Sequence, residues 1–138
     1  MKFLIVEDDF ASRRFLQVVL SDYGDCYIAV NGREATQAFE QSLREGEPYD
    51  LVCLDIRMPV MNGLECLQQI RTLEREDPDG GEPTKVIVTT AITDRPVRAT
   101  AFETGCEAYL VKPIEKETLI NELKQLGIIS GGPVPSAD

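Results

Sequence analysis

The stretch Phe3-Leu4-Ile5-Val6-Glu7-Asp8-Asp9 runs from four apolar residues straight into three carboxylates, and Leu51-Val52-Cys53-Leu54-Asp55 repeats the pattern. An apolar run of four that does not alternate with polar residues is what a strand covered on both faces looks like. Two such strands that both stop at acids put one acidic pocket at one edge of a sheet. Further runs lie at Tyr27 to Val30, Val86 to Thr89 and Ala108 to Val111.

Helical patterns fill the gaps between these runs, the signature of repeated βαβ units around a parallel sheet. After the first strand, Phe15, Leu16, Val19 and Leu20 share one side. Asn31 can cap a helix from Gly32 to Arg44 carrying Ala35, Ala38, Phe39 and Leu43 inward. Pro96 suits the first residue of a fourth helix, with Asp94 or Arg95 just outside and Gly105 ending it. A last helix uses Leu119, Ile120, Leu123 and Leu126, and Gly127 stops it. The breaker-rich loop Asp77 to Pro83 joins the third helix to the fourth strand. Residues 1–127 thus read as one domain, and 128–138, rich in Gly and Pro, as a flexible tail or the stub of a linker.

The 138 residues carry a formal net charge of -10, which argues against nucleic acid and for a protein or cation partner. There is no histidine, so Ser-His-Asp and Cys-His triads, most catalytic zinc sites and a phosphohistidine are excluded. No segment resembles a signal peptide or reaches membrane-spanning length, so a cytoplasmic protein without a membrane partner is expected. The four cysteines, Cys26, Cys53, Cys66 and Cys106, form no C-x-x-C pair and read as reduced thiols.

In open parallel sheets the binding crevice lies beyond the carboxyl ends of the strands. Glu7, Asp8, Asp9 and Asp55 all fall there. If the first and third strands are neighbours, their ends lie roughly 5 Å apart, and Asp8 and Asp55 can share one ion. A single Asp after a strand more often caps a helix or starts a turn; two acidic clusters after two buried strands favour function. Magnesium suits such oxygens, because it takes a few carboxylates and keeps water that a phosphoryl oxygen can replace. Thr89-Thr90-Ala91 closes the fourth strand and Lys112-Pro113 the fifth. Alone, these read as a β-former and a surface lysine; at the acidic edge they become a hydroxyl and an ammonium able to hold a phosphoryl group.

These residues resemble the receiver domain of bacterial two-component response regulators, most closely the single-domain type similar to CheY. The resemblance rests on Phe3-Leu4-Ile5-Val6-Glu7-Asp8-Asp9, Asp55-Ile56-Arg57-Met58-Pro59-Val60-Met61-Asn62-Gly63, Thr90-Ala91 and Tyr109-Leu110-Val111-Lys112-Pro113, in order, from Lys2 to about Leu126. It implies an α/β, flavodoxin-like three-layer sandwich with strand order 2-1-3-4-5 and five helices. It also implies that Asp55 takes a phosphoryl group from a sensor histidine kinase, a histidine phosphotransfer protein or a small phosphodonor. Mg2+ would be bound by Asp8, Asp55 and the Arg57 backbone carbonyl, with Glu7 acting through water. The family pattern favours Thr90 over Thr89 for the phosphoryl oxygens beside Lys112, makes Asp9 a helix cap, and makes the Lys112-Pro113 bond cis.

As a switch, phosphorylation would draw Thr90 inward and let Tyr109 pack inside, changing a face made by the fourth helix, fifth strand and fifth helix. Without the motif, Tyr109 reads as a half-buried strand aromatic. Arg57 and Ile92 depart from common choices beside the site, and Ile92 is expected to hinder an attacking water. The resulting expectation is a stand-alone response regulator, not an enzyme, that binds a downstream protein, in chemotaxis or another pathway. Alternatives are a phosphorelay intermediate, a phosphate sink, or a Mg2+-dependent phosphohydrolase, although Arg57 stands where dehalogenase-like hydrolases carry a second Asp. A flavin module is disfavoured because the first strand leads into acids.

Overall fold

In the computed structural model, which describes residues 1–58 and 60–130, strands and helices alternate along the chain. The strands are β1 Lys2–Val6, β2 Asp25–Ala29, β3 Leu51–Leu54, β4 Lys85–Thr90 and β5 Ala108–Val111. The helices are α1 Phe10–Leu20, α2 Gly32–Arg44, α3 Gly63–Glu76, α4 Arg95–Thr104 and α5 Lys116–Gln125. All pairings are parallel and the order is β2-β1-β3-β4-β5, the CheY-like flavodoxin arrangement.

Successive side chains of a strand point to opposite faces, and that alternation builds two cores. Leu4 and Val6 of β1, Val52 and Leu54 of β3, and Val86 and Val88 of β4 join Phe39 of α2, Leu67 and Ile70 of α3 and Ala101 of α4. Phe3, Ile5, Leu51, Cys53 and Ile87 join Leu16 and Leu20 of α1 and Leu119 and Leu123 of α5. The central strands are apolar on both faces because both faces are covered. Each fully buried Leu, Ile or Phe contributes about 1.5–3 kcal/mol.

Local signals set the helix ends. Asp9 accepts from the Ser12 N–H at 2.9 Å and Asn31 from the Glu34 N–H at 2.9 Å, while Asn62 and Glu65 form a reciprocal capping box at the start of α3. Pro96 lies one residue deeper in α4 than its sequence suggests, because Arg95 is already helical. Strand β2 starts at Asp25, two residues before the apolar run, and Val30 falls outside it. It is an edge strand, so Asp25 pairs through backbone without being buried. Ile128 is buried and Ile129 half-buried against the α1–α5 layer, so core packing runs past Gly127. Pro59 and the remainder of the expected tail, 131–138, lie outside the described residues.

Burial pushes the thiols of Cys53, Cys66 and Cys106 up to about 12, 11 and 11. They are unreactive core residues.

Candidate functional site

The pairing of Val6 with Leu54 sets Glu7 beside Asp55 just past the ends of β1 and β3. The Asp55 N–H still donates to the Val6 carbonyl at 3.0 Å, so the acid leaves the sheet from a fixed backbone. One carboxylate oxygen each from Glu7, Asp8 and Asp55 lies within 4.8 Å of the others. Glu7 and Asp55 are buried and Asp8 is exposed; the pocket is deep on one side and open on the other.

The loop carrying Asp55 is pressed from two directions. Gly63 donates to the Ile56 carbonyl at 2.8 Å, and a Cβ there would stand 2.3 Å from the Asp55 carbonyl oxygen. Gly32, at the start of α2, donates to the Met61 carbonyl at 3.2 Å. Only residues without a side chain allow both helices to approach this closely.

Lys112 reaches in from the end of β5. Its Nζ donates to Asp55 Oδ2 at 3.0 Å and lies 2.7 Å from Glu7 Oε1. The second contact is an ion pair without hydrogen-bond alignment, which leaves Glu7 Oε1 a buried acceptor with no aligned donor. The Arg57 N–H donates to Asp55 Oδ1 at 3.1 Å and the Asp9 N–H to Glu7 Oε2 at 3.2 Å. The Arg57 carbonyl accepts no hydrogen bond from the described residues. The Lys112-Pro113 bond is cis.

Burial is the main reason the Glu7 carboxyl rises from 4.5 to about 7; the neighbouring Asp55 charge adds to it, and Lys112 and the Asp9 N–H offset part. Burial alone would lower Lys112, but Glu7 and Asp55 more than offset it and hold the ammonium above its usual range. Asp9 is held below its usual range, chiefly by the Ser12 N–H, as befits a helix cap.

Both threonines are buried. The Thr90 hydroxyl accepts the Ile92 N–H at 3.3 Å, and the Thr90 carbonyl accepts the Lys112 N–H at 2.8 Å. Thr90 is therefore beside the lysine strand, with its hydroxyl engaged by the following loop rather than by Asp55. Thr89 pairs with Leu110 and its hydroxyl has no partner among the described residues. Tyr109 differs from expectation: it is already inside, with its hydroxyl donating to the Ile92 carbonyl at 2.8 Å. Its ring lies against Phe102 at 6.5 Å and under the Arg98 guanidinium at 5.5 Å. Those contacts satisfy ring and hydroxyl without a phosphoryl group.

Sequence reasoning missed Arg13, whose Nη1 donates to the carbonyls of Glu7 and Asp8 at 3.3 and 3.4 Å. The only available signal was a basic residue in the first turns after the acids. An apolar groove of about 430 Å³ opens beside Lys112, lined by Ala11, Phe15, Leu16, Pro113 and Ile114. A larger cavity of about 710 Å³, around Arg71, Thr84 and Gly105, is at the opposite end of the sheet and holds none of these acids. No helix of the described residues is long and apolar enough to cross a membrane.

The model of the response regulator receiver domain matches residues 3–124. The sensory/regulatory protein RpfC of Xanthomonas campestris is 34% identical over 129 residues, 93% of this chain and 17% of RpfC. The chain spans between 5% and 48% of the length of the first curated relatives it matches. The receiver domain of Ssk1, solved with the histidine phosphotransfer signaling protein Ypd1 of Saccharomyces cerevisiae, superposes with TM-score 0.80 at 27% identity, over 93% of this chain and 89% of that one. The receiver domain of sensor histidine kinase PA1611 from Pseudomonas aeruginosa, with a magnesium ion in its active site cleft, shares the fold with TM-score 0.73 at 24% identity, over 90% of this chain and 94% of that one.

Proposed function

This chain belongs to the response regulator receiver domain family, and from that premise we propose that Asp55 is its phosphoacceptor and that phosphorylation switches binding to a downstream protein. The supporting observation is the convergence of Glu7, Asp8 and Asp55 oxygens within 4.8 Å, with Lys112 already on Asp55.

The residues fit a divalent cation. The site offers oxygens as ligands, keeps a buried Glu7 acceptor without an aligned donor, and sets Glu7, whose carboxyl is raised first by burial and then by the Asp55 charge, within reach of two further carboxylates. Asp8, Asp55 and the Arg57 carbonyl would hold Mg2+, with Glu7 through a water. When bound, the ion neutralises the repulsion between these acids and an arriving phosphoryl group. The chain's own residues do the rest. A carboxylate oxygen of Asp55 attacks phosphorus, an O–P bond forms, and the P–N bond to the donor imidazole breaks. Lys112 Nζ and the Thr90 hydroxyl stabilise the phosphoryl oxygens. The Thr90 hydroxyl can donate to a phosphoryl oxygen while its oxygen accepts the Ile92 N–H, and through Ile92 it is connected to Tyr109.

No histidine lies among these 138 residues, so the phosphoryl group reaches Asp55 from a donor outside them. A sensor histidine kinase or a histidine phosphotransfer protein is the donor, and the apolar groove beside Lys112 is the surface nearest Asp55 on which it can rest. The α4-β5-α5 face, with Phe102 and Val111 exposed, is the output surface. Reduced thiols fit a cytoplasmic setting. Use of Asp55 as a relay point or phosphate sink, rather than as a switch, is distinguished by transfer kinetics with purified partners. A phosphohydrolase would instead turn over external phosphoesters.

The test is intact mass after acetyl phosphate and Mg2+, on wild type and Asp55→Asn. Wild type is expected to gain one phosphoryl group and the variant none. A gain in both, or in neither, overturns the assignment.

A further inference from the structure

The carbonyls of Glu7 and Asp8 lie beyond the last β1 pair and before the first bond of α1, in which the Arg13 N–H donates to the Asp9 carbonyl at 2.9 Å. No backbone N–H of the described residues reaches either of them. Carbonyls at such a turn need a donor or water, and their orientation fixes where the two side chains point. Arg13, five and six residues on, supplies Nη1 to both, at 3.3 Å for Glu7 and 3.4 Å for Asp8. The guanidinium is itself steadied by the Phe10 ring, 5.5 Å from its Cζ. On the other side of the turn, the Asp9 N–H holds Glu7 Oε2. One end of the acid pair is thus held through a carboxylate and the other through its backbone.

We propose that Arg13 is a positioning residue for the cation pocket: by tying the Glu7 and Asp8 carbonyls together it fixes the direction in which both carboxylates leave β1. This rests on the reading of Glu7, Asp8 and Asp55 as a Mg2+ site. Two effects of Arg13 on a cation have opposite signs. As a positive charge it repels Mg2+, so deleting it for electrostatic reasons alone tightens binding. As an anchor it preorganises the oxygens, so deleting it weakens binding, and outer-shell partners of metal ligands typically contribute 10- to 100-fold. Both hydrogen bonds come from a stiff planar group that an ammonium reproduces only in part. Positioning outweighs charge here, because the site is open to solvent at Asp8 and water screens the repulsion.

Arg13→Met keeps an unbranched side chain of similar length and removes every donor; Arg13→Lys keeps the charge. Mg2+ titration by calorimetry is expected to give a Kd about tenfold weaker for Arg13→Met, with Arg13→Lys in between. Unfolding in EDTA should change little, and acetyl phosphate labelling of Asp55 should recover at saturating Mg2+. Equal or tighter Mg2+ binding by folded Arg13→Met overturns the proposal, as does Arg13→Lys weaker than Arg13→Met. If Arg13→Met does not fold, the Arg13→Lys titration decides: wild-type affinity there overturns the proposal. Failure of the wild type to bind Mg2+ refutes the site reading itself, a separate result.

Discussion

Replacing Glu7 by Gln should stabilise the metal-free protein at alkaline pH and leave it nearly unchanged in acid. Glu7 is fully buried, and its carboxyl sits at about 7 instead of 4.5, first because of burial and then because of Asp55. A folded-state value above the unfolded one means that the native state holds its proton more tightly. The resulting stability is complete below about pH 4.5 and is lost as pH rises through about 7. At about 1.4 kcal/mol per pH unit, the loss by pH 8 is about 3 kcal/mol. Gln cannot ionise, and its amide oxygen can still accept the Asp9 N–H. Glu7→Gln should therefore melt on the order of 10 °C higher than wild type at pH 8 in EDTA and within about 2 °C of it at pH 4.5. Adding Mg2+ should narrow the gap, because only the wild type has the full ligand set; binding at a hundred times Kd contributes about 2.7 kcal/mol. Scanning calorimetry at the two pH values, with EDTA or Mg2+, is sufficient. A variant less stable than wild type at pH 8, or equally stabilised at both, refutes the argument that Glu7 is a strained carboxylate awaiting a cation.

Ile92 is half-buried two residues after Thr90, and its backbone joins Thr90 to Tyr109. Ile92→Asn should shorten the aspartyl-phosphate lifetime about tenfold, the effect of one added hydrogen bond of about 1.4 kcal/mol to the attacking water; an unchanged decay of the phosphorylated mass removes the idea. Arg71→Met should lower stability in urea by about 3 kcal/mol, because it strands Glu74, Glu107 and the carbonyls of Thr84 and Gly105. A loss under about 1 kcal/mol would mean that solvent replaces the guanidinium.

What was legible in the sequence follows from what is periodic. Leu51 to Leu54 announced a strand covered on both faces, and Asn31 announced a helix start, because apolar spacing and capping act within a few residues; Asp9 was assigned as a cap through the family resemblance. The pocket was legible for a related reason: Glu7, Asp8 and Asp55 stand at strand ends, and strand ends share one edge. Less could be read where a side chain acts across the fold. Arg13 is an unremarkable surface arginine until its reach to two carbonyls is measured, and Arg71 is one basic residue of α3 until its guanidinium is seen to donate six hydrogen bonds. Tyr109 was placed in the right strand, but its inward packing depends on Arg98 and Phe102, which no local pattern links to it. The edge strand β2 began early because backbone pairing there needs no apolar side chain.

Helix α3 is fastened at both ends: Gly63 is locked to the loop after Asp55, and Arg71 ties the far end to Thr84, Gly105 and Glu107. Its neighbour α4 buries one residue, Ala101, and Asp94 gives it no side-chain cap. A gate needs a post that does not yield and a leaf that does. Here the post stands next to Asp55, while the leaf carries Arg98 and Phe102 over Tyr109. On the proposed reading of Asp55 as phosphoacceptor, the unequal anchoring of these two adjacent helices would let a change at Asp55 pass more easily into α4, toward the face it shares with β5, than into α3.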